Sequence, residues 1–94
     1  MAALCDAFEM NVATHNYSGP IGTLLMAAHC GVVPNFRIME IDNMQVSWAY
    51  DFLTDNPVIE KAHIALMSGP GWGADVNEDA VKEHPRIQEK SRLV

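Results

Sequence analysis

The sequence predicts an α/β fold organised around one βαβ unit. Three consecutive segments support this prediction: the apolar run 10–15 (MNVATH), the helical run 20–31 (PIGTLLMAAHCG) and the apolar run 36–42 (FRIMEID). A strand, a helix and a second strand in this order form a right-handed crossover between parallel strands. The carboxyl ends of parallel strands open onto one face, and α/β enzymes place their chemistry on that face.

Length and composition are those of one small globular domain. The chain has 94 residues, of which 49% are apolar and 19% charged, and its net charge is −6. An acidic surface repels the phosphates of nucleic acid. No apolar run reaches the roughly 20 residues that a membrane span needs. We therefore expect neither a nucleic-acid partner nor a membrane. The start also lacks the basic region of a signal peptide, so a cytoplasmic location is expected.

The helical segments of the first half are well specified. Residues 2–9 contain good helix formers with no N-cap residue before them, so they are interpreted as the last turns of a helix that begins outside this sequence. In the segment 20–31, Pro20 suits the first helical position, and Gly31 is expected to end the helix in a left-handed conformation. Ser18 or Gly19 is the expected N-cap. The apolar face expected to pack on a sheet is formed by Ile21, Leu24, Leu25 and Ala28.

The second strand and the segments after it are predicted in less detail. Strand 36–42 is apolar along nearly its whole length, which is typical of a strand covered on both faces. The remaining segments are an irregular connection at 43–56, two short strands in 57–67 around a turn at 60–62, a glycine turn at 68–73, a short helix from Asn77 to Pro85, and a frayed end at 86–94.

His15 and Glu40 are the main candidates for a functional site because they lie near the carboxyl ends of the two strands. Alternatives remain open for both: His15 can close its strand with a backbone hydrogen bond, and Glu40 can form a salt bridge with Arg37. Asn16 and Tyr17 follow His15 in the same loop and are candidates for substrate contact or for plain solvent exposure.

Other motifs favour structural roles. Asp42 is interpreted as a loop cap, and His29, His63 and His84 as surface or helix-end residues rather than metal ligands, because no metal-binding spacing is present. The stretch 68-SGPGWG-73 lacks the lysine and hydroxyl residue of a phosphate loop, so its tryptophan, Trp72, is expected to pack the segment onto its neighbours. The two cysteines, Cys5 and Cys30, are predicted to be free thiols.

Three segments resemble one enzyme family. The stretches 11-NVATHNYSGPIG-22, 34-PNFRIMEID-42 and 69-GPGWGADVNEDAVKEHP-85 are similar to the mandelate racemase/muconate lactonizing branch of the enolase superfamily, most of all to its acid-sugar dehydratases of galactonate dehydratase type. The resemblance implies the C-terminal piece of a modified TIM-type barrel, about strands 7 and 8 with the intervening helix. Residues 1–42 would end the barrel. Residues 43–94 would form a return segment whose hairpin and short helix run toward a capping domain.

The resemblance also implies roles for residues. A histidine at the end of the seventh strand, here His15, acts as a general acid or base. A carboxylate at the end of the eighth strand, here Glu40, helps to bind the substrate, and Asn16 and Tyr17 would line the same site. The family binds Mg²⁺ through acidic residues of its third, fourth and fifth strands. We therefore expect no metal ligand, and no tightly bound Mg²⁺, in this chain.

The function implied is that of a piece of a Mg²⁺-dependent acid-sugar dehydratase, a hydro-lyase. Such an enzyme removes the proton alpha to a carboxylate and then eliminates water, and it acts on a small sugar acid as a homo-oligomer. We expect the isolated chain to be inactive because the metal-binding strands are not in it. The alternatives are a racemase or epimerase of the same superfamily, and a small non-catalytic binding or assembly module.

Overall fold

The computed structural model describes residues 1–42 and 46–85, and it confirms an α/β fold. The predicted residues 43–45 of the irregular connection and the predicted frayed end at 86–94 lie outside the described residues. The elements, in chain order, are α1 (Ala2–Ala7), β1 (Val12–Thr14), α2 (Gly19–Cys30), β2 (Phe36–Met39), a 3₁₀ helix (Ala49–Phe52), β3 (Ile59–Glu60), β4 (His63–Ile64) and α3 (Glu78–Glu83).

Strands β1 and β2 are parallel and joined through α2, as the βαβ prediction required. Both strands are shorter than predicted. At the start of the pair Val12 N–H donates to the Asn35 carbonyl at 2.8 Å, and at the end Glu40 N–H donates to the Thr14 carbonyl at 3.0 Å. The register shifts once, because Val12 lies opposite Phe36 whereas Ala13 lies opposite Ile38. This irregularity advances β2 by one residue relative to β1.

Helix α2 buries a different face from the one predicted. Its buried residues are Pro20, Thr23, Leu24, Ala27 and Cys30. Of the predicted apolar face, Ile21 and Leu25 are 42% and 37% exposed, so this prediction was wrong for both. The helix packs against β2 and the 3₁₀ helix. Its buried face keeps Leu24 from the predicted face and is otherwise shifted around the helix to Thr23, Ala27 and Cys30.

The end of α2 also differs from the prediction. Gly31 is the C-cap residue, but its φ of −64° and ψ of −18° are right-handed, so the predicted left-handed stop was wrong. The glycine has another use at this position. A Cβ atom there would lie 2.7 Å from Leu66 Cδ1, so the missing side chain lets the segment after β4 approach the end of the helix.

Strand β2 is largely exposed, although the apolar run predicted cover on both faces. Phe36 is 37% and Ile38 is 64% exposed. Within the described residues, α2 is the helix that packs on this strand. The apolar sequence therefore matches a strand with more neighbours than the described part of the chain provides.

The C-terminal half packs around a second, small cluster. Trp48 stacks on His84, with ring centroids 4.1 Å apart and planes 8° apart, and it meets Phe52 edge-on. Asn77 begins α3 as predicted, and its side-chain oxygen accepts the N–H of Ala80 at 3.4 Å. Trp72, which was expected to pack the glycine turn onto its neighbours, is 54% exposed and borders a cavity that Leu24 and Leu66 also line.

No helix in residues 1–42 and 46–85 is long and apolar enough to cross a membrane.

The predicted hairpin is present and its turn needs no glycine. Strands β3 and β4 are antiparallel, with Ile59 opposite Ile64 and Glu60 opposite His63. The two residues between them, Lys61 and Ala62, have φ values of +49° and +61°. Two left-handed residues in a two-residue loop form a type I′ turn, which matches the twist of the flanking strands but strains residues with a Cβ.

This strain predicts a stabilising substitution. Ala62→Gly should raise the free energy of unfolding by about 1 kcal/mol, because the left-handed conformation costs an alanine roughly that amount. Ala65→Gly is the matched control. Ala65 has no positive φ, and its N–H donates to the Val58 carbonyl at 2.9 Å, so a glycine there should destabilise. Urea denaturation of both variants measures the difference, and equal midpoints would contradict the turn assignment.

The glycine turn before α3 supports a second stability prediction. Gly71 and Gly73 both have positive φ, at +62° and +84°. A Cβ at Gly73 would lie 2.2 Å from Met67 Cβ, whereas a Cβ at Gly71 would have no atom within 4 Å. Gly71→Ala should cost about 1 kcal/mol from backbone strain alone. Gly73→Ala should cost clearly more in the same urea titration, and a Gly73→Ala loss no larger than that of Gly71→Ala would refute this packing.

Candidate active site

The two predicted site residues meet at the carboxyl end of the parallel strands. His15 directly follows β1, and Glu40 directly follows β2. His15 Nδ1 is in direct contact with Glu40 Oε2. Thr14 lies opposite Met39, so the next residues along the two strands, His15 and Glu40, are neighbours in the same register. Opposite residues of parallel strands point to the same side of the sheet, which explains why the two side chains touch.

Without the register shift this pair would not form. If the pairing of Val12 with Phe36 continued unbroken, His15 would lie opposite Met39. A one-residue slip moves the neighbouring side chains to the other face of the sheet. The irregularity beside Val12 and Ala13 therefore aligns the carboxylate with the imidazole.

The backbone of the following loop completes the contact. Asn16 N–H donates to the same oxygen, Glu40 Oε2, at 3.3 Å. One carboxylate oxygen thus accepts from a backbone amide and contacts an imidazole nitrogen. Because a carboxylate is an acceptor, it favours the His15 tautomer that carries its proton on Nδ1. Nε2 is then the nitrogen with a free lone pair, able to take up a proton.

The pair is open to solvent in the described structure. The side chains of His15 and Glu40 are 80% and 53% exposed. The alternative salt bridge between Glu40 and Arg37 is not formed among the described residues, where the ion-pair partner of Glu40 is His15. An acid–base group works best when the substrate is held against it and water is excluded. The described elements do not enclose His15 and Glu40 in this way.

The remaining candidates lie around this pair or away from it. Tyr17 is 70% exposed in the same loop, whereas the Asn16 side chain is 2% exposed and turned into the interior. Asp42 is half-buried just beyond Glu40. The three other histidines are away from the pair: His29 is exposed on α2, His63 contacts the Lys61 carbonyl through Nδ1 at 2.8 Å, and His84 stacks on Trp48.

Two supporting contacts were missed from the sequence. Thr14 Oγ1 lies 3.2 Å from the Sγ atom of Cys30, which connects the strand end to the end of α2. Cys5 and Cys30 are free thiols, as predicted.

The second missed contact is made by Thr23, in the first half of α2, which is 3% exposed and contacts Asn16. Its only sequence signal is a hydroxyl residue one turn after Gly19, a position where threonine can bond back to a carbonyl.

Comparison with known proteins identifies the family. The model of the family described as Enolase C-terminal domain-like matches residues 1–80. The chain belongs to the enolase C-terminal domain-like family. The predicted membership is therefore confirmed, and so is the fold class, an α/β piece of a TIM-type barrel. The predicted division of the chain at residue 42 stays a prediction.

The relatives of this enolase C-terminal domain-like chain are much longer proteins. A D-xylonate dehydratase of Haloferax volcanii is 33% identical over 84 residues, which are 89% of this chain and 20% of the relative. A proposed L-alanine-DL-glutamate epimerase of Burkholderia xenovorans is 37% identical with a TM-score of 0.83, over 92% of this chain and 22% of the other. A second structure of that protein is bound to magnesium and fumarate. The chain spans about a fifth of the length of these relatives.

Magnesium does not fit the described residues of this enolase C-terminal domain-like chain. Mg²⁺ prefers several oxygen ligands in octahedral geometry. No group of three or more His, Cys, Asp or Glu residues comes together within 1–42 and 46–85. Glu40 also has its Oε2 occupied by His15 and the Asn16 amide. The described part of the chain therefore offers no magnesium site.

The contact between Glu40 and His15 predicts a change that NMR can measure. Glu40→Ala removes the acceptor at Nδ1, so the ratio of Nδ1-protonated to Nε2-protonated neutral His15 should fall by about fivefold, the factor of one typical net hydrogen bond. Asp42→Ala is the matched control, because it removes a nearby carboxylate without touching His15. Nitrogen-15 shifts of the imidazole report the tautomer. Equal shifts in both variants would show that the contact is not made in solution.

Proposed function

We propose that this chain supplies the proton-transfer part of an acid-sugar dehydratase active site. The observation that carries the proposal is the contact of His15 Nδ1 with Glu40 at the carboxyl end of two parallel strands. Strand ends on this face are the usual position of catalytic groups in barrels. The similarity to a D-xylonate dehydratase and to a D-gluconate dehydratase of Thermoproteus tenax supports a sugar acid as the substrate class.

His15 has the chemistry that such a reaction requires. Dehydration of a sugar acid removes the proton alpha to the carboxylate and protonates the departing β-hydroxyl. With Glu40 at Nδ1, Nε2 of His15 can accept or return a proton on the open side of the sheet. Tyr17, exposed in the same loop, is proposed as a substrate contact, and Oε1 of the Glu40 side chain, which is 53% exposed, is proposed to hydrogen-bond the substrate.

We propose that this chain is active only together with further protein segments that enclose His15 and Glu40 and bind Mg²⁺. The His15 and Glu40 side chains are exposed, and the described residues offer no magnesium site. We assign the Mg²⁺ of the reaction to residues outside this chain, with no role for it in the steps carried by His15. The 94-residue chain alone, tested with Mg²⁺ and a panel of sugar acids, should give no product above the blank.

A chimeric enzyme tests the proposal in a complete site. The segment of the Haloferax volcanii D-xylonate dehydratase that matches this chain is replaced by residues 1–80, the span matched by the family. The chimera should dehydrate D-xylonate, and His15→Asn should lower kcat by roughly 100- to 10,000-fold, the usual contribution of general acid–base catalysis. His29→Asn, on the exposed surface of α2, should leave kcat unchanged.

Two results would contradict the proposal. One is an active chimera whose kcat is unaffected by His15→Asn, and the other is a His29→Asn loss as large as that of His15→Asn. A soluble chimera that binds D-xylonate and does not dehydrate it would also count against the proposal.

An epimerase is the second candidate, since the proposed epimerase of Burkholderia xenovorans is 37% identical to this chain. Both reactions begin with removal of the proton alpha to the carboxylate, so His15 would serve either. Incubation of the chimera with substrate in D₂O separates them: deuterium at the alpha carbon without loss of water favours epimerisation, and a keto product favours dehydration.

A further inference from the structure

Asn16 is the most deeply buried large side chain among the described residues, and it adjoins the site. Its side chain is 2% exposed although the residue lies in the loop that carries His15. Nδ2 donates to Thr23 Oγ1 at 2.9 Å, and the Thr23 hydroxyl donates to the Gly19 carbonyl at 3.0 Å. The side chain of the loop residue is thus bonded to the first turns of α2.

The same residue also contacts the catalytic pair through its backbone. Asn16 N–H donates to Glu40 Oε2, the oxygen that His15 Nδ1 contacts. The direction of a backbone N–H depends on how well the position of its residue is fixed. The buried side chain of Asn16 is fixed by its hydrogen bond to Thr23, and this also fixes the direction of the Asn16 N–H. Asn16 therefore connects helix α2 to the oxygen that sets the His15 tautomer.

Neighbouring residues leave space for this arrangement. A Cβ at Gly22 would lie 2.3 Å from Ser18 Cβ and 3.5 Å from Asn16 Oδ1. The loop 15–18 therefore packs directly on the first turns of α2, and only a glycine at 22 allows the approach. Ser18 makes no side-chain capping bond in the described structure. The bond from Asn16 to Thr23 is the side-chain connection between the loop and the helix.

The burial of Asn16 has a cost that packing alone does not explain. Asn16 Oδ1 is buried and has no hydrogen-bond partner within the described residues. A buried acceptor without a partner is destabilising, and an apolar side chain of similar volume would avoid that cost. The asparagine is therefore better explained by the hydrogen bonds that its Nδ2 and its backbone N–H donate to Thr23 and Glu40.

We propose that Asn16 is a positioning residue for His15 and Glu40: its side-chain bond to Thr23 fixes its backbone N–H on Glu40 Oε2, and this holds the carboxylate against His15 Nδ1. The expected consequence is that proton transfer in the site is confined to His15 Nε2. This consequence rests on the proposed function, whereas the geometry is independent of it and is tested without turnover.

The test compares conservative variants of the 94-residue chain by NMR of imidazole nitrogens, with His15→Gln used to assign the His15 signals. Thr23→Val removes the acceptor for Asn16 Nδ2 at nearly constant volume. The ratio of Nδ1-protonated to Nε2-protonated His15 should fall by about fivefold, the factor of one typical net hydrogen bond. Thr23→Ser keeps the hydroxyl and should retain the ratio of the unchanged chain. Asn16→Leu should lower the ratio as Thr23→Val does.

Asn35 provides the matched control at the other end of the same strands. Its side chain is 9% exposed, its Nδ2 donates to the Met10 carbonyl at 2.8 Å and to the Ala2 carbonyl at 3.1 Å, and its Oδ1 is also unpartnered within the described residues. Asn35→Leu should destabilise the chain without changing the His15 tautomer. This separates positioning from stability, because both asparagines are buried and donate through Nδ2, and Asn16 is the one that contacts Glu40.

The outcomes decide between positioning and a purely structural role. A folded Thr23→Val chain with an unchanged His15 tautomer overturns the proposal. So does a change of equal size in Asn35→Leu. A Thr23→Val chain that loses the dispersed spectrum of the folded state makes the pair a determinant of folding, which also overturns it. The failure of the chimera to dehydrate D-xylonate would count against the proposed function and leave this geometry in place.

Discussion

The parallel pairing of β1 with β2 is the interaction on which the site depends. It ends at the hydrogen bond from Glu40 N–H to the Thr14 carbonyl, and the next pair of residues is His15 and Glu40. A parallel pair brings side chains from distant parts of the sequence to one edge, here residues separated by helix α2. Its register decides which side chains meet. The single shift in register beside Val12 and Ala13 places a carboxylate, and not the neighbouring methionine Met39, beside the imidazole.

Much of the βαβ unit could be predicted from local sequence signals. The strand, helix and strand, the parallel pairing, the hairpin turn at Lys61 and Ala62 and the cap at Asn77 follow from patterns that act over a few residues. That His15 and Glu40 belong to one site could be predicted, because both lie near the carboxyl ends of predicted parallel strands. What local signals did not contain was the register shift, since it depends on how two distant segments align.

The errors share a physical cause, which is tertiary packing. Ile21 and Leu25 follow the apolar periodicity but lie exposed, because the face that α2 buries is shifted around the helix toward Ala27 and Cys30. Gly31 is right-handed, and its missing side chain leaves space for Leu66. Strand β2 is apolar yet exposed in the described structure. The exposed apolar side chains of α2 and β2 are typical of elements that pack against further neighbours. This agrees with a chain that spans about a fifth of the length of its relatives.

The most direct test of this account is the hydrogen bond that closes the strand pair. A long-range HNCO experiment on the labelled chain detects scalar coupling across a hydrogen bond. The account predicts a cross-peak between the Glu40 amide nitrogen and the Thr14 carbonyl carbon, together with slow hydrogen exchange at the Glu40 amide. Coupling from Thr14 to the Met39 or Ile41 amide would mean another register, in which His15 and Glu40 do not meet, and would contradict it.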